Sequence, residues 1–137
     1  METITPTERE LEVLKILWER EKTTVRQVWK LMAEQEPELA YTTVLSIFQV
    51  MEKKKLVTHE TVGKTYHYTP TQPRDKTMQS LTTNFLNRVY DGAVGEFLLH
   101  GLEAGKITAG ELSELEALIA QAKRKSRKSP GKKGGKP

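Results

Sequence analysis

A chain of 137 residues has room for one domain or two small ones, and its hydrophobic fraction of 36% is low for a self-sufficient globule. No stretch approaches the roughly 18 apolar residues of a membrane span, and the acidic start lacks the basic and apolar regions of a signal peptide. The absence of cysteine excludes disulfides, thiolate metal sites and cysteine nucleophiles. These features predict a cytoplasmic protein with no direct membrane insertion.

The net charge of +4 is unevenly distributed along the chain. Eight of the 22 basic residues lie between positions 123 and 136, which contain no acidic residue, and this leaves 14 basic against 18 acidic residues in 1–122. Any nucleic-acid-binding face must therefore come from local placement of charge and not from the overall pI. The Lys, Arg, Ser, Gly and Pro composition predicts a disordered basic tail over 123–137.

Two amphipathic helices are predicted near the start of the chain. Each begins at a capping box, in which a Thr hydroxyl caps a free backbone amide and an acid or amide three residues later caps back: Thr5 with Glu8, and Thr24 with Gln27. Pro6 would occupy the first helical position, where its missing amide hydrogen costs nothing. The first helix should run to about Arg20, and the second should end before Pro37.

A third helix and a β-hairpin follow. The apolar positions of the third helix are Tyr41, Val44, Leu45, Ile47, Phe48 and Met51. The hydrophobic period then changes to two over 56–60 and 65–69, with Gly63 in the loop between them. Three helices and a hairpin in about 70 residues is the order of a winged helix-turn-helix, whose third helix enters the DNA major groove.

The opposite face of the third helix contains no acidic residue. Its members are Thr42, Thr43, Ser46, Gln49, Val50 and Lys53. Hydroxyls and Gln can hydrogen-bond to base edges and phosphates, and Val can contact a thymine methyl group. Lys54, Lys55 and Lys64 add positive charge at the helix end and the hairpin tip, where phosphates would pass. The pattern predicts contacts with double-stranded DNA, although an uncharged stripe can also contact protein and a Lys triplet can simply be solvated.

The remainder of the chain is predicted to be helical up to the tail. A further capping box is formed by Thr108 with Glu111, and several glycines divide this half into short pieces. Its main apolar positions are Phe85, Val89, Val94, Phe97, Leu98, Leu102, Leu112, Leu115 and Ile119. This is more apolar surface than broken helices over 71–122 can bury alone, so they must pack on a partner or on the winged helix.

No catalytic or metal site is predicted. His59 and His67 lie on the two hairpin strands with Glu60 nearby, but two imidazoles without a third ligand are weak evidence for zinc. The chain has no Ser-His-acid pattern and no Gly-rich phosphate motif. We therefore expect no metal and no cofactor, and an enzyme is the least supported function.

The chain contains, in this order, the segments Ala40–Val44, Met51–Val57 and Gly63–Pro70. Together these segments resemble the penicillinase repressor family, the bacterial repressors that include regulators of β-lactamase, methicillin resistance and copper transport. The opening Thr5–Leu14, Trp18 and the segment Phe85–Gly92 also fit, so the resemblance covers about residues 4–120. It implies a mostly α fold with a β-hairpin wing: a winged-helix domain over 1–70, a helical dimerisation domain over 71–122, and the basic tail.

The resemblance also implies a repressor that binds a palindromic operator as a homodimer through interleaved C-terminal helices. The antibiotic-resistance repressors are cut at an Asn-Phe bond, where this chain has His100-Gly101, and the copper-responsive members carry cysteine pairs that this chain lacks. We therefore expect repression without copper sensing, and release by a membrane-bound sensor protease at another bond stays open. The alternatives are a winged-helix protein-interaction module and a small-molecule-responsive repressor.

Overall fold

The computed structural model describes residues 5–128, which form six helices and one hairpin. In chain order the elements are α1 (Glu8–Glu19), α2 (Val25–Gln35), α3 (Tyr41–Lys53), β1 (Val57–Val62), β2 (Thr65–Pro70), α4 (Arg74–Tyr90), α5 (Val94–Ala104) and α6 (Ala109–Lys128). The predicted fold class, mostly α with a small hairpin wing, is confirmed. In this part of the chain no helix is both long and apolar enough to cross a membrane.

The hydrophobic core lies between α1, α2, α3 and the hairpin. Its most buried members are Val13, Leu14, Leu17, Val28, Val44, Phe48, Met51, Val57 and Tyr68. The predicted inner face of α3 is confirmed, because Val44, Phe48 and Met51 are fully buried and Tyr41 and Leu45 pack against them. These contacts fix α3 on α1 and α2, so its polar side faces outward.

The start of α1 differs from the predicted one. Thr7, not Thr5, caps this helix: Thr7 Oγ1 accepts from the Glu10 amide at 3.2 Å, and Glu10 Oε1 accepts from the Thr7 amide at 2.9 Å. Pro6 therefore lies before the cap and not in the first helical turn. Both registers satisfy the same sequence spacing, and in the observed one the buried Glu10 also pairs with Lys54. The boxes at Thr24 and Thr108 are confirmed.

A one-residue β-bridge that sequence analysis missed joins the hairpin to the chain before α2. β1 and β2 pair antiparallel, with Val57 opposite Pro70 and Val62 opposite Thr65. Thr23, just before α2, bridges to Tyr68: the Thr23 amide donates to the Tyr68 carbonyl at 3.2 Å, and the Tyr68 amide donates back at 2.8 Å. One residue is too short to produce an alternating pattern, yet this bridge attaches the base of the hairpin to the helices.

The described residues divide into two compact units at Gly92. α4, which sequence analysis assigned to the dimerisation domain, belongs to the first unit. Asn84 of α4 donates to Thr5 Oγ1 at 2.7 Å, and Trp18 Nε1 donates to the carbonyl of Gln72 at 3.0 Å. Such side-chain contacts are not visible in a periodicity pattern. The second unit contains α5 and α6.

The basic tail differs from its prediction as far as it is described. α6 continues through Lys128, so residues 123–128 are helical and not disordered. Lys and Arg are good helix formers, and extending an established helix costs much less than nucleating one. The rest of the predicted tail, 129–137, lies outside the described residues.

The turn after α3 holds Lys55 in the left-handed region, at φ 67°. The Lys55 amide donates to the Glu52 carbonyl at 3.0 Å and the Leu56 amide to the Met51 carbonyl at 2.9 Å, the hydrogen bonds of a Schellman helix end. Glycine adopts this φ without the strain that a Cβ imposes. We expect Lys55→Gly to raise the free energy of unfolding by about 0.5 to 1 kcal/mol in urea denaturation, because strain relief exceeds the entropy cost of glycine.

A matched glycine substitution two residues earlier, at Lys53, separates the relief of strain from the general effect of glycine on stability. Lys53 is the last residue of α3 and has helical geometry, so Lys53→Gly should lower the free energy of unfolding by up to about 1 kcal/mol. Destabilisation by both substitutions would contradict the strain argument.

Candidate nucleic-acid interface

The polar face of α3 is exposed along its whole length. Its residues Thr42, Thr43, Ser46, Gln49, Val50 and Lys53 are all exposed. The apolar side chain of Val50 is 46% exposed on this face. The structure thus brings six of the predicted DNA-binding residues onto one acid-free surface that can approach a groove.

Lys54 does not belong to this surface. Its Nζ donates to both carboxylate oxygens of Glu10, each at 2.9 Å, and the Glu10 side chain is only 6% exposed. Lys54 lies on the opposite side of the chain from Lys53, facing α1. A lysine committed to a buried carboxylate is not free for phosphate, so we remove Lys54 from the candidate interface.

Lys64 lies at the tip of the hairpin, in the turn made by Gly63. Gly63 has φ 66°, and its position has open space around it, so glycine is required there by the backbone and not by crowding. Lys64 is exposed. The tip therefore carries an exposed positive charge that can contact a phosphate.

The base of the hairpin is attached to the helices through charged and aromatic side chains. Lys22 Nζ donates to Glu60 Oε2 at 2.6 Å, and this hydrogen bond raises the pKa of Lys22 and lowers the pKa of Glu60. Tyr68 packs on Phe48 with 4.6 Å between ring centroids, and burial raises the pKa of the Tyr68 hydroxyl. The packing of Tyr68 on Phe48 holds the hairpin beside α3, and the exposed ion pair adds little to it.

A groove of about 500 Å³ lies between the start of α2, the start of α3 and β2. Arg26 lines it and stacks over Tyr41, with 5.2 Å from the guanidinium carbon to the ring centroid. Tyr66 and Lys64 line the other side, and Tyr66 is 49% exposed. Stacking holds a guanidinium in place while leaving its N–H donors free to bind an anion.

Sequence analysis missed Arg26 and Tyr66. Arg26 is an ordinary residue on the polar face of an amphipathic helix, and nothing in its spacing sets it apart. The signal that could have found it is its place two residues after the cap Thr24, because the first turn of the second helix faces the DNA backbone in many helix-turn-helix domains. The groove itself depends on how the hairpin folds back.

The two hairpin histidines do not face each other. His59 is opposite Tyr68 and His67 is opposite Glu60, so the imidazoles project from opposite faces of the hairpin. Within residues 5–128 no three His, Cys, Asp or Glu side chains are close enough together to hold a metal ion.

The predicted dimerisation residues are largely exposed on the single chain. Exposed fractions are 37% for Phe85, 50% for Val89, 48% for Val94, 39% for Leu98, 42% for Leu102, 40% for Leu112 and 52% for Ile119. Phe97 and Leu115 are partly buried. Two apolar residues outside the predicted dimerisation set, Leu99 and Leu118, are 65% and 60% exposed. Neither α5 nor α6 contains a buried hydrophobic residue.

Comparison with known proteins gives consistent matches over most of the chain. A sequence model of the family described as penicillinase repressor matches residues 6–121. The penicillinase repressor of Bacillus licheniformis is 26% identical over 121 residues, covering 86% of this chain and 91% of that protein. The transcriptional regulator BlaI of Mycobacterium tuberculosis is 32% identical over 111 residues, covering 80% and 78%. A solved structure of Lactococcus lactis ZitR aligns with 91% of this chain and 78% of its own, with 11% identity and a TM-score of 0.43.

Proposed function

The chain belongs to the penicillinase repressor family, and from that premise we propose that it binds a palindromic DNA operator as a homodimer. The relatives it matches are a named repressor and a named transcriptional regulator, so the chain is a transcriptional repressor and not an enzyme. The proposal concerns how it recognises DNA, how it assembles and how it is released.

The observation that carries the proposal is the acid-free exposed face of α3. A solvated helix face normally mixes charges of both signs, whereas this one offers hydroxyls, an amide, a Val and one Lys. We propose that Thr42, Thr43, Ser46, Gln49 and Val50 reach base edges in the major groove. Phosphates would be contacted by Lys53 at the C-terminal end of this face and by Lys64 and Arg26, which line the groove beside it.

The exposed apolar side chains of α4, α5 and α6 support the homodimer. Monomeric proteins rarely leave so many large apolar side chains in contact with water, and a second copy of the chain would cover them. A symmetric dimer also suits a palindromic operator, because two weak half-site contacts joined in one body bind together. The apolar positions Leu99 and Leu118 extend the proposed interface.

Release from DNA is proposed to depend on neither copper nor cysteine chemistry, since the chain has no cysteine. A membrane-bound sensor protease remains the proposed partner for a cytoplasmic repressor of this family. A protein-interaction module that never touches DNA is the competing function, and it predicts that no promoter fragment binds.

Fluorescence anisotropy on the upstream region of the protein's own gene, against a scrambled fragment, tests the DNA proposal. We expect Thr43→Ala and Gln49→Ala each to weaken binding to the specific fragment about tenfold, because each removes a hydrogen bond to a base edge. Binding to the scrambled fragment should change little, since base contacts do not contribute to it.

Matched controls come from α4, where Thr82 and Gln79 are also exposed. Thr82→Ala and Gln79→Ala should leave the affinity for the specific fragment unchanged. Equal affinity for both fragments, or identical loss in the α3 and α4 variants, would refute base recognition by α3.

A further inference from the structure

One hydrogen bond joins the last turn of α3 to the middle of β1. His59 Nδ1 and Glu52 Oε2 are 2.7 Å apart, and both side chains are partly buried, with exposed fractions of 23% and 36%. The imidazole also stacks on Tyr66 of β2, with ring centroids 3.9 Å apart and planes 12° from parallel. His59 thus contacts α3 on one side and the opposite strand on the other.

The position of His59 along the hairpin gives this contact its importance. One face of the hairpin carries Val57, His59 and Thr61 from β1 and Tyr66, Tyr68 and Pro70 from β2. At the base of this face Val57 and Tyr68 are buried in the core, and beyond His59 both Thr61 and Tyr66 are exposed. His59 therefore occupies the boundary between the packed base and the free tip.

The contact on the other face of the hairpin is weaker. Lys22 and Glu60 form an ion pair with exposed fractions of 57% and 54%. Water surrounds both partners, and ion pairs of this kind contribute little to holding a conformation. The hydrogen bond between His59 and Glu52 is better shielded and is reinforced by the ring stack.

We propose that His59 is a positioning residue that sets the angle of the hairpin tip relative to α3 through Glu52 and Tyr66. This rests on the proposed DNA-binding function, because Lys64 reaches a phosphate only when the hairpin tip is held beside α3. His59 itself contacts no DNA in this proposal. It acts through Lys64.

Two substitutions separate the hydrogen bond from the ring. His59→Phe keeps an aromatic ring for Tyr66 but removes the donor to Glu52, whereas His59→Gln keeps an N–H donor and removes the ring. The first readout is amide hydrogen exchange of the free protein, which needs no DNA. We expect exchange across residues 60–66 to become about tenfold faster in His59→Phe and about threefold faster in His59→Gln, which keeps the donor to Glu52 and loses only the stack. Exchange in α1 and α2 should not change.

The second readout is the affinity for the specific DNA fragment over a salt series. We expect His59→Phe and Lys64→Ala each to weaken binding about tenfold and to reduce the slope of log affinity against log salt by about two, because the proposed homodimer loses one phosphate contact in each subunit. Because His59 acts through Lys64, the double variant should be no weaker than either single variant.

The outcomes separate this inference from the function on which it rests. Wild-type exchange in His59→Phe, or losses of affinity that multiply in the double variant, would overturn the positioning role. If the wild-type protein binds no fragment specifically, the proposed function fails, while the exchange measurement still decides whether His59 holds the tip. Glu60→Gln, which removes the ion pair on the other face, should leave exchange across residues 60–66 within about twofold of wild type.

Discussion

Replacing Lys54 with Met is expected to lower the free energy of unfolding by about 2 kcal/mol at pH 7. The change leaves the Glu10 carboxylate, 6% exposed, with the Thr7 amide as its remaining donor. A buried carboxylate without its cation is costly, and the 32% exposure of Lys54 lets water recover part of that cost. Urea denaturation followed by circular dichroism measures the loss.

Lys53 supplies the matched control, because it is the neighbouring residue with an exposed side chain. Lys53→Met should change stability by less than about 0.5 kcal/mol but should weaken operator binding, since Lys53 lies on the proposed DNA face. Lys54→Met should lower stability but leave operator binding unchanged at temperatures where the variant is folded. Combining Lys54→Met with Glu10→Gln removes both charges and should recover most of the lost stability. Equal stability of Lys53→Met and Lys54→Met would show that the contact between Lys54 and Glu10 contributes little.

The two lysines illustrate what the amino-acid sequence can and cannot predict here. The period of 3.6 residues identifies which side of α3 is buried, so the exposed face from Thr42 to Lys53 follows from the sequence alone. Lys54 comes after the last helical residue, where periodicity no longer specifies direction. Its partner Glu10 is 44 residues away and comes from another helix. Only the packing of α1 against the end of α3 separates the roles of these two lysines.

The other differences from the predicted structure have the same origin. Thr5 and Thr7 both have an acid three residues later, and local spacing cannot choose between them. Arg26 becomes noteworthy only when Tyr41 packs beneath it and the hairpin closes the groove. Local signals thus predicted the elements and their buried faces. Contacts between distant residues decided caps, ion pairs and the shape of the candidate interface.

Introducing charge into the apolar face of α5 is expected to dissociate the proposed dimer. Leu98 and Leu102 lie one turn apart on this helix and are 39% and 42% exposed on the single chain. Replacing both with Glu places two carboxylates where the second copy would bury apolar surface, which is strongly unfavourable. We expect a monomer in light scattering and about a hundredfold weaker operator binding, because each half-site is then bound alone.

The same variant should remain folded in its first unit, because no core residue there is changed. The fluorescence of Trp18 and Trp29 reports on this unit during urea denaturation. The denaturation midpoint of the variant should match that of the wild-type protein at a concentration low enough for the wild-type dimer to dissociate. Gln121→Glu is the control, because it adds one carboxylate at an exposed polar position of α6. It should leave the dimer mass in light scattering and the affinity for the operator unchanged. A dimer that survives both substitutions would place the interface elsewhere and leave the exposed apolar residues of α5 for a different partner. A monomer that binds the operator as tightly as wild type would instead separate DNA recognition from assembly.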